Sequence, residues 1–210
     1  MAPEDITGLV LAGGRGARMG GLDKGLQCLD GEPLALHAAR RLAPQVGALA
    51  ISANRNLPAY RAFAAPLGSA VWTDRCGDAP GPLAGVLSGL EHCTSAYLAT
   101  VPCDAPRLPH DLVRRLGQAL VQADADIAMA ATREPSGVRA QPVCCVLRVR
   151  PRAGAPGSLR DRLAAFLAGG QRQVQRWVAQ QHCVQVVFDD AAAFANANTA
   201  QELQALQRHG

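Results

Sequence analysis

Ile6-Thr7-Gly8-Leu9-Val10-Leu11-Ala12-Gly13-Gly14-Arg15-Gly16-Ala17-Arg18-Met19-Gly20-Gly21-Leu22-Asp23-Lys24 is the stretch from which the fold is read, because an apolar run passes directly into a glycine-rich turn. Ile6 to Leu11 has little polar alternation, as a strand buried on both faces should. In the turn, adjacent Gly13 and Gly14 allow positive φ and close backbone approach, and free N–H groups there can face phosphate oxygens. Arg15, Arg18 and Lys24 add positive charge to the same concavity. The string is not a dinucleotide fingerprint, since Met19 stands where the third glycine belongs. Nor is it a Walker A loop, which needs Gly-Lys followed by Ser or Thr. The glycine pair alone reads as an ordinary strand-to-helix turn with solvated arginines; the whole string is more specific.

The same alternation continues outward along the chain. Ala48 to Ala53, Ala70 to Thr73, Ala96 to Val101, Ile127 to Ala131, Val143 to Val149 and Val184 to Phe188 are short apolar runs that predict buried strands. Between them, Leu34 to Leu42, Leu83 to Cys93, Leu108 to Val121, Leu159 to Leu167 and Gln173 to Gln180 repeat apolar residues at three and four, which predicts helices. In the Leu108 to Val121 segment the apolar stripe faces away from Asp111, Arg114, Arg115 and Gln118. Strand and helix in turn predict a three-layer α/β/α sheet, mostly parallel and Rossmann-like, with right-handed crossovers. With no repeat or dividing linker, residues 1–210 read as a single domain, and Arg148 to Ser158, with its Pro and Gly, as a flexible surface loop or a minor boundary. Ligands of such sheets bind at the carboxyl ends of the strands.

Composition narrows the classes. The chain has 210 residues, 49% of them hydrophobic, which excludes disorder. No uncharged run approaches the roughly 18 residues of a membrane span. Glu4 and Asp5 stand where a signal peptide would carry positive charge, so a cytoplasmic protein is expected. Its 7 cysteines are odd in number, contain no C-x-x-C and fall mostly in apolar runs, as reduced core residues do. A net charge of +4 without a basic stripe does not predict nucleic-acid binding, but it favours an anionic small molecule. The 21 basic residues divide into 20 arginines and one lysine, Lys24.

Leu11-Ala12-Gly13-Gly14-x-x-x-Arg18-Met19-Gly20-x-x-Asp23-Lys24, followed by Gly31-x-Pro33-Leu34, resembles the N-terminal signature of nucleotidyltransferases with the glycosyltransferase-A-like fold. Among these it is most similar to the molybdenum cofactor guanylyltransferases. The resemblance continues through Gly81-Pro82-Leu83-Ala84-Gly85, Pro102-Cys103-Asp104-Ala105-Pro106 and Asn196-Ala197-Asn198-Thr199, four anchors in the expected order. It implies transfer of GMP from GTP to molybdopterin with release of pyrophosphate. Positioning and electrostatics carry most of such a reaction.

By that resemblance, Leu11, Ala12, Gly13 and Gly14 contact the nucleotide, and Arg18 and Lys24 serve the phosphates. A compact ammonium can follow a migrating phosphoryl charge as a planar guanidinium cannot. Asp104, after an apolar run, would hold Mg²⁺, which takes one or two carboxylates and completes its shell with phosphates and water. Seen alone, it reads equally well as a turn residue before Pro106. Asp74 would lie near the nucleotide. Relatives commonly carry Asn where Ser52 stands, so Ser52 or Asn54 supplies that contact, and the sequence leaves both open. Gly81, Pro82 and Leu83 would approach the guanine, and together with Ala12-Gly13-Gly14 they favour GTP over CTP. Asn196 and Asn198 would face the pterin, while Thr199 and Glu202 also form a capping-box pattern.

The implied partners are GTP and molybdopterin, with molybdopterin-delivery proteins and molybdoenzymes as protein contacts, no nucleic acid, no membrane, and a monomeric state. A related transferase using CTP or a sugar-phosphate acceptor is the alternative within the fold. A nicotinamide-dependent oxidoreductase and a non-enzymatic adaptor are the alternatives outside it.

Overall fold

The structure is a computed structural model and describes residues 1–12, 22–74, 81–197 and 202–203. Its first half runs β1 (Ile6–Leu11), a small hairpin of β2 (Cys28–Leu29) and β3 (Glu32–Pro33), α1 (Leu34–Leu42), β4 (Ala48–Ser52), α2 (Leu57–Ala64), β5 (Ala70–Trp72) and α3 (Pro82–His92). Its second half runs β6 (Tyr97–Pro102), α4 (Leu112–Gln122), β7 (Ile127–Glu134), β8 (Gly137–Arg148), α5 (Leu159–Ala168), α6 (Val174–Val178) and β9 (Cys183–Phe188). Seven strands form one sheet in the order β5-β4-β1-β6-β8-β7-β9. β8 alone runs antiparallel to its neighbours β6 and β7. The other pairings, β1 with β4 and β6, β4 with β5, and β7 with β9, are parallel.

Alternation along the strands builds the three expected layers. Val10, Ile51 and Val101 pack against α1, α2 and α4 on one face of the sheet. Leu9, Leu11 and Leu98 pack against α3, α5 and α6 on the other. Adjacent Cys144 and Cys145 follow the same rule and enter opposite cores. Helix α3 lies very close to the sheet because it carries glycine where it touches. A Cβ at Gly89 would stand 2.5 Å from Leu9 Cδ2 and 2.9 Å from Leu98 Cδ2.

Several elements differ from the sequence expectation for physical reasons. Helix α4 begins at Leu112 rather than Leu108, because Pro109 disfavours helical backbone at the residue before it. Arg115, expected on the solvent side, lies 3.9 Å over the Phe188 ring and donates to the Val187 carbonyl at 2.8 Å. β8 begins at Gly137, six residues before the apolar run, since its first half is an exposed ribbon paired with the end of β7. The register shift opposite Met129 and Ala130 accommodates Pro142, which lacks a ladder N–H. The loop after β8 is pinned by Arg152, whose Nε lies 3.2 Å from the buried Asp126 carboxylate. Helix α2 had no counterpart in the sequence reading.

Replacing Gly89 by Val overfills the contact with Leu9 and Leu98. It should cost about 1–3 kcal/mol, read as a lower urea midpoint at unchanged slope.

Candidate active site

Strand order reverses between β1 and β6, and in open α/β sheets that crevice, at the carboxyl ends of the strands, is where ligands bind. The two strand ends are locked level with each other. Cys103 N–H donates to the Leu11 carbonyl at 3.1 Å, and Ala12 N–H to the Ser52 carbonyl at 2.8 Å. Asp104 follows β6 by two residues. Lys24 opens a one-turn 3-10 helix, Lys24–Leu26. Across the crevice Lys24 Nζ lies 2.8 Å from Asp104 Oδ2, with the side chains 24% and 11% exposed. Both side chains are therefore partly exposed at the cleft.

The turn that carries Lys24 is built on Asp23, whose side chain is 5% exposed. Oδ1 accepts the Tyr60 hydroxyl at 2.7 Å and the Gly25 N–H at 3.3 Å. Oδ2 accepts the Asn56 amide at 3.0 Å and lies 3.6 Å from Arg55 Nε. A second arm of Arg55 donates to the Leu22 carbonyl at 3.2 Å. Burial, then the hydrogen bond to Asp23, push the Tyr60 phenol far above its ordinary range, so it remains a proton donor. Gly25 has no alternative residue, because a Cβ there would overlap the Tyr60 hydroxyl.

The remaining expected residues gather on the same edge. Asn54, after β4, donates its amide to Asp74 Oδ2 and accepts the Asp74 N–H at 2.9 Å, which ties the ends of β4 and β5 together. Ser52 is buried beneath α3, where a Cβ on Gly85 would come within 2.7 Å of its hydroxyl oxygen. Gly81 caps α3 at φ 140°, a conformation that favours glycine, and Pro82 occupies the first turn, where its missing N–H is harmless. Both are exposed, whereas the Leu83 side chain is in the core. Ala197 N–H donates to the Asp104 carbonyl at 2.9 Å, so half-buried Asn196 stands next to the segment that touches Asp104. Gly13, Gly14, Arg18, Asn198 and Thr199 lie outside the described residues.

As a donor set, the edge suits a hard cation. The Asp104 carboxylate already points at a positive charge 2.8 Å away, and its oxygens match an ion that draws most of its ligands from phosphate and water. Neighbouring Cys103 offers no competing thiolate. Burial, then the charge of Asp104, hold its thiol far above the ordinary range.

A mostly parallel sheet with a lysine–aspartate pair at its switch point is an α/β frame suited to a phosphate-bearing ligand, and the family match makes it that of a nucleotidyltransferase. A family model described as MobA-like NTP transferase domain matches residues 8–186. The molybdenum cofactor guanylyltransferase of Bordetella petrii is 56% identical over 202 residues, covering 96% of this chain and 97% of the relative. That of Cupriavidus taiwanensis is 52% identical over 206 residues, covering 98% of both. Among solved structures, molybdopterin-guanine dinucleotide biosynthesis protein A from Archaeoglobus fulgidus has a similar fold, with a TM-score of 0.74 at 18% identity over 97% of each chain. The chain belongs to the MobA-like nucleotidyltransferase family, and the full-length relatives it resembles there are molybdenum cofactor guanylyltransferases.

Asp23 lies in the sequence signature, whereas Asn56 and Tyr60, which hold it, belong to no motif, and the role of Arg55 is visible only in the structure. A signal was present in Leu57, Tyr60 and Ala64, apolar at helical spacing, with Pro58 in the first turn. Asp23 and Lys24 should separate cleanly in denaturation. Asp23→Ala strips a buried acceptor from several donors and should cost about 3 kcal/mol. Lys24→Met, at a partly exposed pair, should change stability by less than about 1 kcal/mol.

Proposed function

We propose that this protein is a guanylyltransferase that joins GMP from GTP to the phosphate of molybdopterin, forming molybdopterin guanine dinucleotide. The observation that carries the reading is the Lys24–Asp104 pair at the switch point, on a chain 56% identical to a relative of that name. A molybdopterin phosphate oxygen attacks the α-phosphorus of GTP, a new P–O bond forms, and the bond to the β-phosphate bridging oxygen breaks. Pyrophosphate leaves with that electron pair. Lys24 moves from the Asp104 carboxylate to the phosphates and stabilises the charge on the transferring and leaving groups. Arg18 adds positive charge to the phosphate loop. Asp104 would hold Mg²⁺, which when bound supplies Lewis-acid polarisation of phosphate oxygens.

Leu11, Ala12, Gly13 and Gly14 offer backbone to the nucleotide. Gly81, Pro82 and Leu83 approach the guanine through main chain, since Leu83 commits its side chain to the core. Asn54 and Asp74 act as a bonded unit on that side of the cleft. Buried Ser52 supports α3 from below, so Asn54 is the better placed of the two for the nucleotide. Asn196 and Asn198 serve the pterin. The protein acts as one domain, as a monomer in the cytoplasm, with molybdopterin-delivery proteins and molybdoenzymes as partners. No helix among the described residues is long and apolar enough to cross a membrane. The names of the full-length relatives favour GTP and molybdopterin over a cytidylyl or sugar-phosphate reaction.

Pyrophosphate release should require both molybdopterin and GTP, with CTP, ATP and UTP inactive; turnover with CTP in place of GTP would contradict the assignment. EDTA should abolish release, and Mg²⁺ should restore it. Lys24→Arg should lose about 100-fold in turnover with the fold intact, and Asp104→Ala should lose transfer while remaining folded by circular dichroism.

A further inference from the structure

Asp23 belongs to the motif that carries the family resemblance, yet the transfer described above gives no role to it or to the helix that encloses it. We propose that Tyr60 is a positioning residue for transfer, its hydroxyl acting through the Asp23 carboxylate to fix the turn that presents Lys24. This assignment rests on the transfer reading of the site.

The geometry is specific. One carboxylate oxygen receives both the Tyr60 hydroxyl from α2, at 2.7 Å, and the Gly25 N–H from the turn, at 3.3 Å. The other faces Asn56 and Arg55, and Arg55 also holds the Leu22 carbonyl. Backbone on both sides of Lys24 is thereby tied to the start of α2. The lysine stem has four flexible carbons, so the reach of its ammonium toward Asp104 is set by the backbone from which it springs.

The chemistry of Tyr60 points the same way. It is 0% exposed, in a site where Phe would fill the ring volume without burying a polar group. Retaining the hydroxyl there gives Asp23 its shortest hydrogen bond. Without it, among the described residues Oδ1 keeps the longer bond to the Gly25 N–H, and the turn gains freedom at the residue whose charge must meet the phosphates. Misplacement of a reacting group by about 1 Å can cost about 100-fold in rate, so partial loosening has a measurable effect.

Tyr60→Phe and Phe63→Leu form the decisive comparison, because Phe63 packs edge-on against the Tyr60 ring at 5.5 Å and perturbs the same helix without touching the hydroxyl. Tyr60→Phe should lower kcat about 10-fold while KM for GTP stays within about 3-fold. Phe63→Leu should lower the thermal midpoint and keep kcat. With a single lysine in the chain, selective ¹⁵N-lysine labelling gives one side-chain ammonium resonance. In substrate-free protein that resonance should move in Tyr60→Phe and stay in Phe63→Leu. Wild-type kcat in Tyr60→Phe, or equal losses of kcat in the two variants, overturns the proposal. If wild type fails to transfer GMP, the transfer reading fails, and the substrate-free resonance still decides the role of Tyr60: no movement overturns it. Should Tyr60→Phe not fold, Asn56→Gly removes another bond to Asp23 from an exposed position whose φ of 51° glycine adopts without strain, and is judged by the same readouts.

Discussion

A carboxylate buried among hydrogen-bond donors is the constraint around which the site is arranged. An unpaired buried charge is strongly unfavourable, so Asp23 must be met by Tyr60, Asn56, Arg55 and the Gly25 amide together. Meeting that demand brings the turn after β1 onto the start of α2. The ammonium of Lys24 is thereby carried across the crevice to Asp104. Several otherwise unrelated features follow from the same demand. Gly25 has no room for a side chain, Tyr60 keeps a hydroxyl in the core, and α2 begins directly after the strand end that bears Asn54.

The pair formed by Lys24 and Asp104 then has a second meaning. Each group is the stand-in partner for what the other is expected to hold: a cation for the carboxylate, an anion for the ammonium. In the proposed reaction, arriving nucleotide phosphates and metal would offer both groups better partners at once, so the cleft would fill by exchange of charge partners without leaving either charge uncompensated. In a chain that otherwise uses arginine for positive charge, a lysine at this point is the residue able to make that exchange, because its charge is compact and its stem can swing.

The sheet was readable from sequence because its central strands are buried on both faces and therefore appear as uninterrupted apolar runs. Ile6–Leu11 and Leu34–Leu42 have the same limits in sequence and structure. The antiparallel strand was legible only in its inner half, since the outer half of β8 lies beyond the helices and carries Arg139 and Gln141. Helix α2, only eight residues long, carries Pro58 in its first turn, where a missing N–H is harmless, and too few apolar residues to make a long stripe. In the site, the family resemblance singles out Lys24 and Asp104 in the sequence, and the structure brings the two together. Tyr60 and Asn56 carry no such motif, because their bonds to Asp23 join residues distant in sequence, and no local pattern reports a contact of that kind.

The claim on which the account depends is that Lys24 leaves Asp104 for the nucleotide phosphates. The single ammonium resonance of ¹⁵N-lysine-labelled protein, followed while GTP is added in the presence of Mg²⁺, tests this directly. The account predicts a saturable shift that reaches its endpoint as GTP binding saturates, with ATP at equal concentration producing little of it. A resonance that stays at its substrate-free position in GTP-saturated protein would contradict it.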